Sequence, residues 1–236
     1  MGRAVIFDFY GTLAHWKDGI GSNYTTVFAA LGYELRPEVF TAYFDRYNGV
    51  AHSEHSVSAE TYEAWVRTRL IDLCDGCAVP VGRRASVIDA LRASDEGPMV
   101  AYPEARAALE SIRDRDRDSG LTMAVCSNWG WELDRFLHEI GLLDLFDLAV
   151  TSARAGARKP HPSLYAHMAE SLDVKPQDTV FVGDSWRPDV VGPTEAGMRA
   201  VHVWRPGEHP GETPPTLASG AERIRDLSEL EAVLSW

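Results

Sequence analysis

Residues 5–16 read VIFDFYGTLAHW. Three apolar residues, Val5, Ile6 and Phe7, lead into a carboxylate, Asp8, and Phe9 and Tyr10 follow before Gly11, Thr12 and Leu13. A charge at the end of a hydrophobic strand is desolvated, which costs free energy unless something compensates it. Gly11 permits a turn in which the backbone approaches a neighbour closely. A short apolar strand that ends on such a group fits an open α/β sheet, where ligands bind beyond the carboxyl ends of the strands.

Working outward, similar apolar runs recur. Residues 4–9 (AVIFDF), 121–126 (LTMAVC), 179–182 (TVFV) and 199–203 (RAVHV) read as parallel strands buried on both faces, with a shorter fifth run at 147–151 (DLAVT). Helical patterns alternate with them at 103–115, 131–140, 163–172 and 189–196, and residues 228–234 read as a closing helix. Strand then helix, repeated, predicts a doubly wound parallel sheet of α/β class. Residues 14–97 break the rhythm. They carry helical patterns at 23–31, 37–47, 59–73 and 84–93 and no strand is expected there. The division expected is a Rossmann-like core, residues 1–13 and 98–236, interrupted by an α-helical insertion, residues 14–97.

Composition narrows the function. The 236 residues carry 35 Asp and Glu against 23 Lys and Arg, a net charge of −12, which excludes a broad cationic surface for nucleic acid. A local cationic pocket for a small anion remains compatible with that balance. No apolar run approaches the roughly 18 residues needed to span a bilayer. The three cysteines, Cys74, Cys77 and Cys126, fit a reducing compartment, and a cytoplasmic protein is expected. Cys74 and Cys77 form a C-x-x-C without a second pair, so His52 and His55 are read as unrelated residues rather than as zinc ligands.

If the strands are parallel, their ends share one edge. That edge collects Asp8 and Tyr10 from the first strand, Ser127 and Asn128 from the second, Lys159 from a basic loop, and Asp184 and Asp189 from the segment after TVFV. Three neighbouring carboxylates repel one another unless a cation joins them. A hard divalent ion such as Mg²⁺ suits one or two carboxylates plus substrate phosphate. With it, Asp8 is a candidate nucleophile, while Ser127, Asn128, Lys159 and the Gly11 turn are candidates to hold phosphoryl oxygens.

The motifs DFYGTL, VCSNW, ARKPHPSLY and FVGDSWRPD, in that order, resemble those of the haloacid dehalogenase superfamily. The resemblance covers residues 1–13 and 100–204. It implies a covalent intermediate on Asp8, metal ligation by Asp8, Asp184, Asp189 and the main-chain carbonyl of Tyr10, and a helical cap after the first motif. Most phosphatases of this superfamily carry a second aspartate where Tyr10 stands. A phenol with a reference pKa near 10 is a poor replacement acid at neutral pH, and its ring is equally readable as packing under the cap. Dehalogenases of the superfamily carry a similar YGT motif and lack the acid that Asp184 provides. Retention of Asp184 and Asp189 favours a Mg²⁺-dependent phosphatase of a small phosphorylated metabolite over a metal-independent dehalogenase or a catalytically silent binding module. In the insertion, His15, Trp16, Lys17, Asn23 and Tyr24 lie nearest the edge in sequence, with Trp16 the candidate substrate contact, whereas Arg46, His52 and His55 are expected on solvated surface.

Overall fold

The computed structural model describes residues 2–17, 24–95, 97–115, 120–217 and 219–234. Strand β1, Arg3–Phe7, shows why the sheet forms. Val5 and Phe7 point into one apolar cluster and Ala4 and Ile6 into another, all fully buried. The same division holds for Met123 and Val125 against Ala124 and Cys126, and for Val180 and Val182 against Phe181. Strands apolar on both faces need helices on both sides.

The strands are β1, β2 (Ala14–Trp16), β3 (Met99–Ala101), β4 (Leu121–Ser127), β5 (Leu148–Thr151), β6 (Thr179–Gly183), β7 (Arg199–Val203) and β8 (Ala221–Ile224). The helices are α1 (Tyr24–Ala30), α2 (Pro37–Tyr47), α3 (Ala59–Gly76), α4 (Val81–Ser94), α5 (Ala105–Arg115), α6 (Leu133–Glu139), α7 (Ser152–Ala155), α8 (Pro162–Ser171), α9 (Gly192–Glu195) and α10 (Leu230–Val233). Six strands form one parallel sheet in the order β5-β4-β1-β6-β7-β8. Residues of α5, α6 and α10 cover one face, and α8 covers the other. The chain adds strands on one side of β1 and then on the other, which opens the crevice where α/β sheets bind ligands.

Helices α1 to α4 pack on a third apolar cluster of their own, including Phe28, Leu70, Leu73, Val87 and Leu91. Cys74 and Cys77 are free thiols buried in it. Pro37 opens α2 at its first turn, and the Ser58 hydroxyl caps α3 by accepting from Thr61 N–H at 3.2 Å. Between α2 and α3 the chain touches the sheet side directly. Arg158 N–H donates to Val50 O at 2.9 Å and His52 N–H donates to Gly156 O at 2.6 Å, a small antiparallel bridge.

Four expectations need correction. Residues 14–97 do contain a strand: β2 pairs antiparallel with β3, His15 opposite Val100, where the chain leaves the sheet and where it returns. Three residues are too few to show alternation. Strand β8 has no apolar run to mark it, because only Ile224 of its four residues is buried. The helix expected at 189–196 is a π-helical turn, Trp186–Val191, followed by α9. His52 is 3% exposed rather than solvated, stacked on Trp65 at 4.4 Å. Arg46 does lie on exposed surface. Asn23, and residues 116–118 of the charged run read as a helix end, fall outside the described residues.

Candidate active site

Asp8 follows β1 directly, and its N–H donates to Val182 O at 2.8 Å, which extends the pairing with β6. Its side chain is nearly buried. Oδ1 accepts from Ser127 Oγ at 2.9 Å and from Lys159 Nζ at 2.7 Å. Among the described residues no hydrogen bond reaches Oδ2. One carboxylate oxygen is therefore anchored and the other is available.

Lys159 is 1% exposed. Its ammonium donates to Asp8 Oδ1, to Asp189 Oδ1 at 2.6 Å and to Cys126 O at 3.0 Å, which uses all three of its hydrogens. Burial works against that charge, but Asp189 and Asp8 outweigh it and hold the ammonium above its ordinary range. The backbone of Lys159 is clamped as well: Asn128 Oδ1 accepts from Lys159 N–H at 2.7 Å, and Asn128 Nδ2 donates to Lys159 O at 2.9 Å. Asn128 thus fixes the loop that delivers the lysine.

The other two carboxylates come from the segment after β6. Asp189 is fully buried, and the π-helical turn swings it back so that its Oδ2 accepts from Ser185 N–H at 3.0 Å. Burial pushes its carboxyl up to about 7, against the pull of Lys159. Asp184 accepts from Thr12 Oγ1 at 3.3 Å. Burial first, then the charges of Asp8 and Asp189, drive its carboxyl upward. Gly11, at φ +82°, makes room for it: a Cβ there would lie 2.5 Å from Asp184 Oδ2.

Oxygens of Asp8, Asp184 and Asp189 all lie within 4.8 Å of one another. Three carboxylates against one ammonium leave an excess of negative charge, which adds to burial in raising Asp184. A hard divalent cation fits this donor set, with uncommitted oxygen lone pairs on Asp8 and Asp184. Both Asp189 oxygens are already hydrogen-bonded, so its first effect is to hold Lys159.

Tyr10 is 44% exposed, so its ring is not sealed beneath the inserted helices. Burial of the remainder, followed by the charges of Asp184 and Glu208, raises its phenol pKa, and it stays protonated at neutral pH. Trp16 is 3% exposed and packs beside Trp129 at 6.0 Å. It also forms part of the wall of a cavity of about 410 Å³ between the inserted helices and the sheet edge. Tyr62, Arg69, Trp131 and Arg158 line the same cavity, as does Asn128.

Three further residues, Arg205, His202 and Thr12, support the site. Arg205 donates to Gly11 O at 2.9 Å and Thr12 O at 3.3 Å, and pairs with Glu104 at 2.6 Å. His202 receives a hydrogen bond from Arg223 Nε at 3.1 Å on Nδ1, so its Nε2 carries the proton and donates to Asp184 O at 2.9 Å. Burial lowers the His202 pKa to about 4 and keeps that neutral tautomer. Thr12 sat in the quoted motif without a role. Nothing local in the sequence signals Arg205 or His202, which reach these partners from distant positions.

The fold recurs in solved structures. The chain superposes on a phosphatase of this fold from Thermococcus onnurineus with a TM-score of 0.61 at 23% identity, covering 99% of this chain and 98% of that one. It superposes on a 2-haloacid dehalogenase from Pseudomonas syringae pv. Tomato with a TM-score of 0.60 at 22% identity, over 99% and 98%. One architecture therefore carries both chemistries, and the backbone does not choose between them. In sequence, the chain is 25% identical over 236 residues to a ribulose-1,5-bisphosphate 5-phosphatase from Halopiger xanaduensis, covering 97% of this chain and 95% of that protein. The profile of the haloacid dehalogenase-like hydrolases matches residues 3–197, and the chain belongs to that family.

Proposed function

We propose that the chain is a Mg²⁺-dependent phosphatase of small phosphomonoesters that works through an aspartyl-phosphate on Asp8. The observation that carries this is the arrangement at Asp8: one oxygen held by Ser127 and Lys159, the other bare, beside two further carboxylates. Asp8 Oδ2 attacks phosphorus, the bond from phosphorus to the leaving oxygen breaks, and that oxygen departs as the anion and takes its proton from water. Water then attacks the same phosphorus, releasing phosphate and restoring the carboxylate. Mg²⁺, held by Asp8, Asp184 and the Tyr10 carbonyl with Asp189 adjoining, would neutralise charge on the transferring phosphoryl group. Lys159 holds Asp8 Oδ1 in place by its hydrogen bond at 2.7 Å. Ser127 turns from Asp8 to a phosphoryl oxygen as substrate enters. The inserted helices act as the cap that closes over the crevice, and residues 1–13 and 98–236 are the catalytic core. Three buried thiols fit a cytoplasmic setting, and no described helix is long and apolar enough to cross a membrane.

Tyr10 leaves the leaving group without an adjacent carboxylic acid, which favours substrates whose leaving oxygen needs little protonation. The same feature supports the rival reading, a dehalogenase, because a halide leaves without a proton. Turnover of phenyl phosphate with Mg²⁺, lost on chelation, is the expected result. Chloride release from 2-chloropropionate without added metal, and no phosphate release, would overturn it.

A further inference from the structure

The cavity beside the edge is lined by four arginines together with Glu63, Asp95 and Glu132, and among the described residues two of the arginines have no carboxylate partner. Arg92 pairs with Glu63 at 2.5 Å, and Arg135 with Glu139 at 3.5 Å. Among the described residues neither Arg69 nor Arg158 has a carboxylate partner. Arg69, on α3, is only 8% exposed. Its guanidinium lies over the rings of Tyr47 at 4.2 Å and Trp65 at 4.6 Å, donates to Tyr43 OH at 3.4 Å, and leaves Nε without a partner. Arg158, on the loop that carries Lys159, donates to Ser152 Oγ at 3.4 Å, and its Nε is likewise unpartnered and buried. Burial, and further down the order the charge of Arg158, depress the Arg69 pKa.

A buried guanidinium without an anion, as at Arg69, is expensive, and a second, half-buried one at Arg158 in the same cavity adds to its positive charge. A planar fork of N–H donors is built for an oxyanion. The walls between them, Trp16, Tyr62, Trp129 and Trp131, suit an apolar or ring-shaped body. We infer that Arg69 and Arg158 form a second-anion subsite, so that the substrate is a phosphomonoester bearing a further carboxylate or phosphate on the body that fills this cavity. Because Arg69 belongs to the inserted helices and Arg158 to the sheet side, that anion joins the two. The inference rests on the phosphatase reading.

The test compares phenyl phosphate, 4-carboxyphenyl phosphate and 1,4-phenylene bisphosphate. With Mg²⁺, kcat/KM for the two doubly charged compounds is expected to exceed that for phenyl phosphate about tenfold or more, mainly through KM. Whichever gains more names the second anion. Arg69→Met and Arg158→Gln erase the excess, and Arg69→Lys, which keeps the charge, retains part of it. Equal values in the wild type, or an excess that survives both substitutions, overturn the subsite. If no compound is turned over, the phosphatase reading fails by itself. Calorimetry of the same compounds with Asp8→Asn protein then decides the subsite: tighter binding of the doubly charged pair, abolished by Arg69→Met, supports it, and equal binding overturns it.

Discussion

The sheet edge and the neighbouring cavity are opposites in one respect. At the edge, every hydrogen of the Lys159 ammonium has an acceptor, and Asp189 is bonded through both oxygens. In the cavity, Arg69 and Arg158 each keep a buried Nε with no partner. The reacting end is assembled before any ligand arrives, as electrostatic preorganisation requires. The selecting end is left for the ligand to complete.

The sharpest way to break this contrast is at the nucleophile. Asp8→Asn is expected to remove turnover by at least about 10⁴-fold, read as phosphate release, while leaving the fold intact because the amide still accepts from Ser127. Turnover near the wild-type level would mean that Asp8 is not attacked. Next comes Tyr10→Asp, which supplies the absent acid. Hydrolysis of an alkyl phosphate should rise by about 10²-fold, with a much smaller gain for phenyl phosphate. Equal gains for both would show that protonation of the leaving oxygen is not what limits the enzyme.

Much of the edge was readable because strand β1 is apolar on both faces and ends on a charge. Asp8, Ser127 and Asp184 stand at or just beyond a strand end, which parallel order brings together, while Asp189 follows in the turn after β6 and Lys159 in the loop after α7, both on the same edge. The failures share a cause. β2 and β3 are too short to carry a period, and β8 exposes polar side chains at the sheet margin. His202 and Arg205 act through main-chain carbonyls, which leave no mark in a side-chain pattern. That Arg69 has no carboxylate partner among the described residues depends on what surrounds it in space, and no spacing rule expresses that.

A more moderate test targets this hidden support. Arg205→Met removes the bonds to Gly11 O and Thr12 O and strands Glu104, whose partner was 10% exposed. A loss of about 3 kcal/mol is expected in denaturant unfolding, together with weaker Mg²⁺ binding as the Gly11 turn loosens around Asp184. Unchanged metal affinity would detach Arg205 from the site. The smallest effect is a pH dependence. Burial lowers both His52 and His202 to about 4, from an ordinary 6.5. Between those values the unfolded chain binds more protons than the folded one, so stability rises with pH there and is lost as pH falls from 6.5 toward 4. Asp189, pushed up to about 7, and Asp184, also raised, bind protons in the folded chain over the same window and oppose this slope, so the histidine part is read as a difference: between pH 7 and pH 5 the thermal midpoint of His52→Gln should fall less, or rise more, than that of the wild type. The same pH dependence in His52→Gln and in the wild type would show that the fold does not hold that ring neutral.

The bridge between residues 50–52 and 156–158 has a mechanical consequence. Arg158 and Lys159 are consecutive, and the strap from Val50 and His52 grips the chain immediately ahead of them. If the inserted helices swing outward, either those two backbone bonds rupture or the lysine is dragged off its carboxylates. Admission of a substrate and the placement of the ammonium beside the nucleophile are thereby tied to the same two backbone bonds.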